Sequence, residues 1–289
     1  MAIWWLVVGL AVFLIGVTKS GFGSGVGLMI VPMTVVAMNH LQAKADIALG
    51  LMLPLLIVGD FIAVWQYRRL FSLRAVLRLL PGTAIGIFIG GWLLFIFHDK
   101  SRNFVTAFIE IEIGVESIVL VALQWYRIWR MGHMHMTHPS VLRSSAVGVF
   151  AGVSSTLAHA AGPIIALHLL PQRMERQIYV GTCAIYFFVL NSAKVPVYAY
   201  DRQFHIQTFR LGLYLLPLVF VGAGFGFWIT QRMNDRIFSQ VVYAATFCLG
   251  WYLLWLGIQT LGQKPRETLH FRSFSSLSSC MPDPSLHSG

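Results

Sequence analysis

Apolar runs of membrane-crossing length recur along the chain, separated by short polar connections. Six of them, at 45–66, 75–97, 103–126, 178–200, 209–230 and 238–261, come close to the ~20 residues that a helix needs to cross the hydrocarbon of a bilayer. Two further stretches, 3–37 and 144–170, are apolar as well but are interrupted by glycine and small residues. The order is regular: a broken element, three ordinary runs, then the same again.

That order is matched by single residues. Adding 136 to a residue number takes Gly16 to Gly152, Val17 to Val153, Pro81 to Pro217, Gly86 to Gly222, Gly90 to Gly226 and Asp99 to Asp235. Between these blocks the offset falls to 131, pairing Gly50 with Gly181, Asp60 with Asn191 and Tyr67 with Tyr198. Internal duplication of this kind is characteristic of secondary transporters, whose substrate site lies between the repeats near the bilayer midplane. The expected fold is therefore all-α, with about eight transmembrane helices in two duplicated halves, each opening with a glycine-broken element. Residues 1–130 make the first membrane repeat, 131–143 a basic, histidine-rich linker loop, and 144–262 the second repeat. Residues 263–289 make a polar, serine-rich tail that is too poor in apolar residues to pack and is expected to be disordered.

Composition agrees with a membrane protein: 57% of the residues are hydrophobic and 11% charged, too few charges to solvate a soluble surface. The net charge of +10 does not point to nucleic acid, because the lysines and arginines are scattered among the loops, where they set membrane orientation. The connection 67–78, with Arg68, Arg69, Arg74 and Arg78, is the most basic and is assigned to the cytoplasm. Full crossing by both broken elements divides Lys and Arg 12 to 7 in favour of the cytoplasm and puts both termini there, leaving out Lys19 and Lys194. Re-entrant hairpins would invert the halves and divide the charges 11 to 8. Full crossing is the expectation. Cys183, Cys248 and Cys280 show no CxxC spacing, and no disulfide is expected. The N-terminus lacks a basic region before its apolar run and reads as a retained membrane element.

Chemistry concentrates in the broken elements. Residues 16–27 hold Lys19, Ser20 and Ser24 among Gly16, Gly21, Gly23, Gly25 and Gly27, a density of glycine that disfavours continuous helix. The chain is expected to unwind there and restart as a shorter helix near Val26. Free amides at a restarting helix bind anions, and a lysine adds full charge. The second break carries Ser154, Ser155, Thr156 and His159 before Pro163, a set of hydrogen-bond donors for an oxyanion, with a histidine able to relay protons. Asp60, Asn191 and Lys194 are polar residues inside apolar runs and are candidates for ion coupling, Lys194 sharing a helical face with Asn191. The alternatives are a structural ion pair for Asp60, an interfacial position for Lys19, and close helix packing for the small residues. The loop residues His133, Met134, His135, Met136 and His138 form the one soft-metal pattern, more readily explained as a solvated linker.

The run Lys19 to Gly27, followed by Val31-Pro32, by Ala48 to Asp60, by Tyr67-Arg68-Arg69 and by Leu79-Leu80-Pro81-Gly82, resembles the TauE/SafE family of sulfite and organosulfonate exporters. The resemblance spans about 3–260 in both halves. It implies a multi-pass inner-membrane carrier that moves a small sulfur oxyanion outward, with the lipid bilayer and the anion as partners and further copies of the chain as an option in a homo-oligomer. No enzyme activity, no cofactor and no bound metal are expected; HExxH and nucleophile-elbow motifs are missing from the sequence. The competing readings are a soft-metal carrier using 133–138, and a membrane-embedded enzyme or accessory factor that transports nothing.

Overall fold

The computed structural model describes residues 2–21, 30–41, 45–98, 102–130, 139–169, 172, 174–200, 204, 206–230 and 235–262. Among them are ten helices and no strand: α1 Ala2–Gly21, α2 Ile30–His40, α3 Ala45–Tyr67, α4 Leu73–His98, α5 Arg102–Arg130, α6 Val141–Ala158, α7 Ala161–Leu169, α8 Arg176–Tyr200, α9 Ile206–Thr230 and α10 Asp235–Gly262. Only helices satisfy every backbone amide within a single segment, which is what a chain this apolar needs in lipid. The six uninterrupted apolar runs correspond to α3, α4, α5, α8, α9 and α10. One boundary differs in a way that matters: α4 begins at Leu73, so Arg74 and Arg78 belong to its first turns and not to the preceding loop. Arg78 uses that position to donate to the Pro139 carbonyl, 3.3 Å away, at the start of α6.

Among the described residues, six helices are long and apolar enough to cross a membrane: α1, α3, α4, α6, α8 and α9. The long α5 is set apart by Glu110, Glu112 and Glu116 within its apolar sequence. Large apolar side chains such as Leu6, Phe88, Trp92, Phe150, Tyr214 and Trp255 stand exposed on the outside of the bundle, as lipid-facing residues do.

The broken elements depart from the expected full crossing. His40, at the end of α2, stacks on Trp4 at the start of α1, ring centroids 3.9 Å apart and 5° from parallel. His168, near the end of α7, meets Ser144 at the start of α6, Nε2 to Oγ 3.2 Å. Each element therefore returns to the end from which it started, the shorter second helix, α2 or α7, folding back along the first. The breaks are also narrower than expected. Gly16 to Gly21 remain helical as the end of α1. Ser154, Ser155 and Thr156 remain helical as the end of α6, and the chain turns only at His159, whose left-handed backbone (φ 53°, ψ 23°) caps that helix. The restart after Gly21 is in place by Ile30, and residues 22–29 lie outside the described residues.

Packing explains why Gly16 and Gly152 are glycine without any unwinding. A Cβ on Gly16 would lie 2.1 Å from Val219 O in α9, and one on Gly152 would lie 2.6 Å from Thr83 O in α4. These backbone-to-backbone approaches, with Gly222 against Phe13 and Gly86 against Val149, seat α1 on α9 and α6 on α4. In both pairs residue numbers rise together, so the helices are parallel. α3 and α8 run antiparallel, with Gly181 against Tyr67 and Leu70 and Asp60 against Asn191. α5 and α10 are also antiparallel, with Gly114 against Gly250 and Gly257 against Ala107 and Ile111.

Candidate functional site

The antiparallel pair α3 and α8 carries the polar centre of the molecule, and the ends of α1 and α6 close on it from either side. Asp60 of α3 is fully buried. One of its carboxylate oxygens lies 2.6 Å from Lys19 Nζ of α1 and the other accepts from Asn191 Nδ2 of α8, also at 2.6 Å. The Lys19 ammonium also sits over the Phe187 ring, 4.4 Å from its centroid. Lys19 does not snorkel to an interface; its side chain is 13% exposed and bound to an aspartate in the bundle. Ser20 beside it is fully buried, its hydroxyl without a hydrogen-bond partner among the described residues.

One turn beyond Asn191, Lys194 is buried as completely as Asp60 but has different company. Its Nζ donates to Ser155 O and Ser155 Oγ, both at 2.9 Å, and meets His159 Nδ1 at 2.8 Å. His159 Nε2 in turn meets Leu49 O of α3 at 3.1 Å. Among the described residues, none of the atoms hydrogen-bonded to this lysine belongs to a carboxylate. Fully buried Lys194, the 13% exposed Lys19 and one buried aspartate leave a formal excess of one positive charge within the cluster. Isolated charges are expensive at membrane depth, so a buried lysine held by neutral acceptors is a candidate functional residue.

The side chains picked out from the sequence are thus distributed as follows. Lys19, Asp60 and Asn191 form one connected group. Lys194, Ser155 and His159 form a second, joined to the first along α8. Thr156 is present at the same helix end, but its hydroxyl donates to Gly152 O of its own helix at 2.8 Å, while its carbonyl accepts from Tyr198 at 2.7 Å. Ser154 faces away from this cluster and donates to Glu116 of α5. Gly21 ends α1; Gly23, Ser24, Gly25 and Gly27 lie outside the described residues, as do His133, Met134, His135, Met136 and His138. Glu112 and Glu116 were not singled out from the sequence, although two carboxylates four residues apart inside an apolar helix were a legible signal.

A bundle of lipid-facing helices around buried charges, with helices broken beside those charges, belongs to the class of multi-pass membrane transporters. Comparison with known families agrees: residues 8–253 match the family model described as Sulfite exporter TauE/SafE. That is most of the chain, and the chain belongs to this family of membrane transporters. Neither the curated proteins nor the solved structures contain a match.

Proposed function

We propose that this chain is a secondary transporter of the cell inner membrane that moves a small anion outward, a sulfite or short organosulfonate, between two related halves in inverted orientation. The observation that carries the reading is the positive charge left over at the centre of the bundle, with Lys194 held by neutral acceptors alone. A pyramidal sulfur oxyanion needs a cation and a few hydroxyl or amide donors, and Lys194, Ser155 and Ser20 supply them beside the broken helix ends. Lys19 belongs to the same site through Asp60, while Gly23, Gly25 and Gly27 lie outside the described residues.

The relation between the halves is supported by contacts that repeat at the sequence offsets of 136 and, for Tyr67 with Tyr198, 131. Gly16 abuts Val219, Gly222 and Ala223, and Gly152 abuts Thr83, Gly86 and Ile87. Tyr67 donates to Ser20 O at 3.1 Å, and Tyr198 donates to Thr156 O at 2.7 Å. Partner helices α3 and α8, and α5 and α10, run antiparallel. A twofold axis along the membrane normal would make partners parallel, so antiparallel partners put the axis in the membrane plane. Each half then presents its broken helix to the centre from the opposite face, an arrangement suited to alternating access.

Counterflow of labelled sulfite, sulfate and methanesulfonate through the purified protein in liposomes tests this reading. Exchange of sulfite or the sulfonate, sensitive to Lys194→Met, is the expected result. Liposomes containing the protein that exchange none of the three would overturn it.

A further inference from the structure

The hydrogen bonds of His159 restrict where protons can sit. Its Nε2 faces the Leu49 carbonyl oxygen at 3.1 Å, and a carbonyl only accepts, so Nε2 carries hydrogen. Its Nδ1 lies 2.8 Å from Lys194 Nζ. Two N–H groups cannot point at each other at that distance, so one nitrogen presents a lone pair. The imidazole and the ammonium are therefore never both charged in this arrangement, and the pair holds one positive charge at most. The other contacts of Nζ, Ser155 O and Ser155 Oγ at 2.9 Å, leave the lysine with no donor directed at a ligand.

The surroundings would not supply a second proton on their own. Lys19 of α1 and Asp60 of α3, the charged groups nearest the pair, are bound to each other. Tyr198 of α8 sets its ring 5.7 Å from the imidazole. Glu112 and Glu116 of α5 lie on the Ser154 side of α6. His168 of α7 is occupied by Ser144, and Arg78 of α4 lies near that same far end of α6.

We propose that Lys194 and His159 form the proton-binding element of this carrier, taking up one proton as an anion binds at the end of α6 and releasing it as the anion leaves. The inference rests on the anion-carrier reading above. An oxyanion arriving at Ser155 competes for the hydrogens of Nζ. When Nζ turns to the anion, the contact at Nδ1 opens and a basic nitrogen is left beside a negative charge. That nitrogen takes a proton from a solvent hydronium ion, one O–H bond breaking as the N–H bond forms and water being left behind, and the anion lies against two cations. For a monoanion the loaded and empty sites then carry the same net charge, so each crossing is electroneutral. Outward movement runs on the anion's own concentration difference and slows when the outside is acidified.

The test uses methanesulfonate, which stays ionised across the accessible pH range, so that any proton change belongs to the protein. Calorimetry of the full chain in two buffers of different ionisation heat counts protons taken up per anion bound. The expected result is about one for the wild-type protein, with affinity rising up to about tenfold per pH unit on acidification. His159→Asn tolerates the left-handed backbone at this position but cannot take the proton; it should bind methanesulfonate more weakly, with no proton uptake and no pH dependence. Lys194→Met should likewise show none. Wild-type binding without proton uptake, or uptake unchanged in His159→Asn, overturns the proposal while leaving an anion carrier in place. If the wild-type chain neither binds nor transports methanesulfonate or sulfite, the carrier reading falls and the coupling with it. The wild-type proton count decides the question even where a variant fails to fold.

Discussion

The two intramembrane lysines sit in comparable places, each where α3 and α8 meet the end of a broken element, and are treated in opposite ways. Lys19 has a carboxylate 2.6 Å away, whereas Lys194 has a backbone carbonyl, a hydroxyl and an imidazole. An ion pair of this kind is closed: its two charges cancel, and removing either strands the other. A lysine among neutral acceptors remains a source of positive potential. The comparison teaches that a buried charge in a membrane bundle is informative through its partner more than through its presence, and it moves the centre of anion recognition from Lys19 towards Lys194.

The comparison breaks most directly at Asp60. Asp60→Ala leaves Lys19 without its counter-ion and should destabilise the protein by about 3–5 kcal/mol, read as a lower midpoint of thermal unfolding in detergent. Asp60→Ala combined with Lys19→Met should recover much of that loss. If the single variant melts like the wild type, the ion pair is not holding α1 to α3. Lys19→Ala alone should likewise lower stability, so loss of anion binding in that variant would not identify Lys19 as an anion ligand.

The next effect falls on binding. Removing one charge-assisted contact is worth about 1.5–3 kcal/mol, so Lys194→Met should weaken methanesulfonate by roughly 10–100-fold, whereas Lys19→Met with Asp60→Leu, a substitution that removes both charges, should weaken it less. Equal losses in calorimetry would erase the distinction between the two lysines. Smaller changes are expected at the helix contacts. Gly16→Ala forces a Cβ against Val219 O and should cost about 1–3 kcal/mol. Gly224→Ala, where a Cβ meets nothing within 4 Å, should be neutral or stabilising by up to about 1 kcal/mol. Smallest among the losses are the tyrosine bonds that tie α3 to α1 and α8 to α6. Tyr198→Phe and Tyr67→Phe should each cost about 0.5–1.5 kcal/mol in thermal or denaturant unfolding, by similar amounts if the halves are equivalent.

Membrane residence, helix positions and the family were legible in the sequence, because each depends on local pattern. Six apolar runs became helices within a few residues of their expected limits, since a segment in lipid must satisfy its backbone internally wherever its neighbours lie. The motif from Lys19 to Asp60 likewise lies on one short stretch of chain. What glycine does was not legible: Gly16 lies in the segment expected to unwind, with close packing as the alternative, yet it is helical and serves close packing, because a missing Cβ looks the same in sequence whether it frees a backbone or admits a neighbouring one. Nor did the sequence decide between crossing and returning for the broken elements. The stacking of His40 on Trp4 and the bond from Ser144 to His168 decided it, and both join residues far apart in the chain. The partners of the charges were beyond sequence reading for the same reason. Asp60 could be called buried from its surroundings, but that it neutralises Lys19 and leaves Lys194 to Ser155 and His159 depends on how α1, α3, α6 and α8 converge, and distances of 2.6–2.9 Å between them exist only once the bundle has packed.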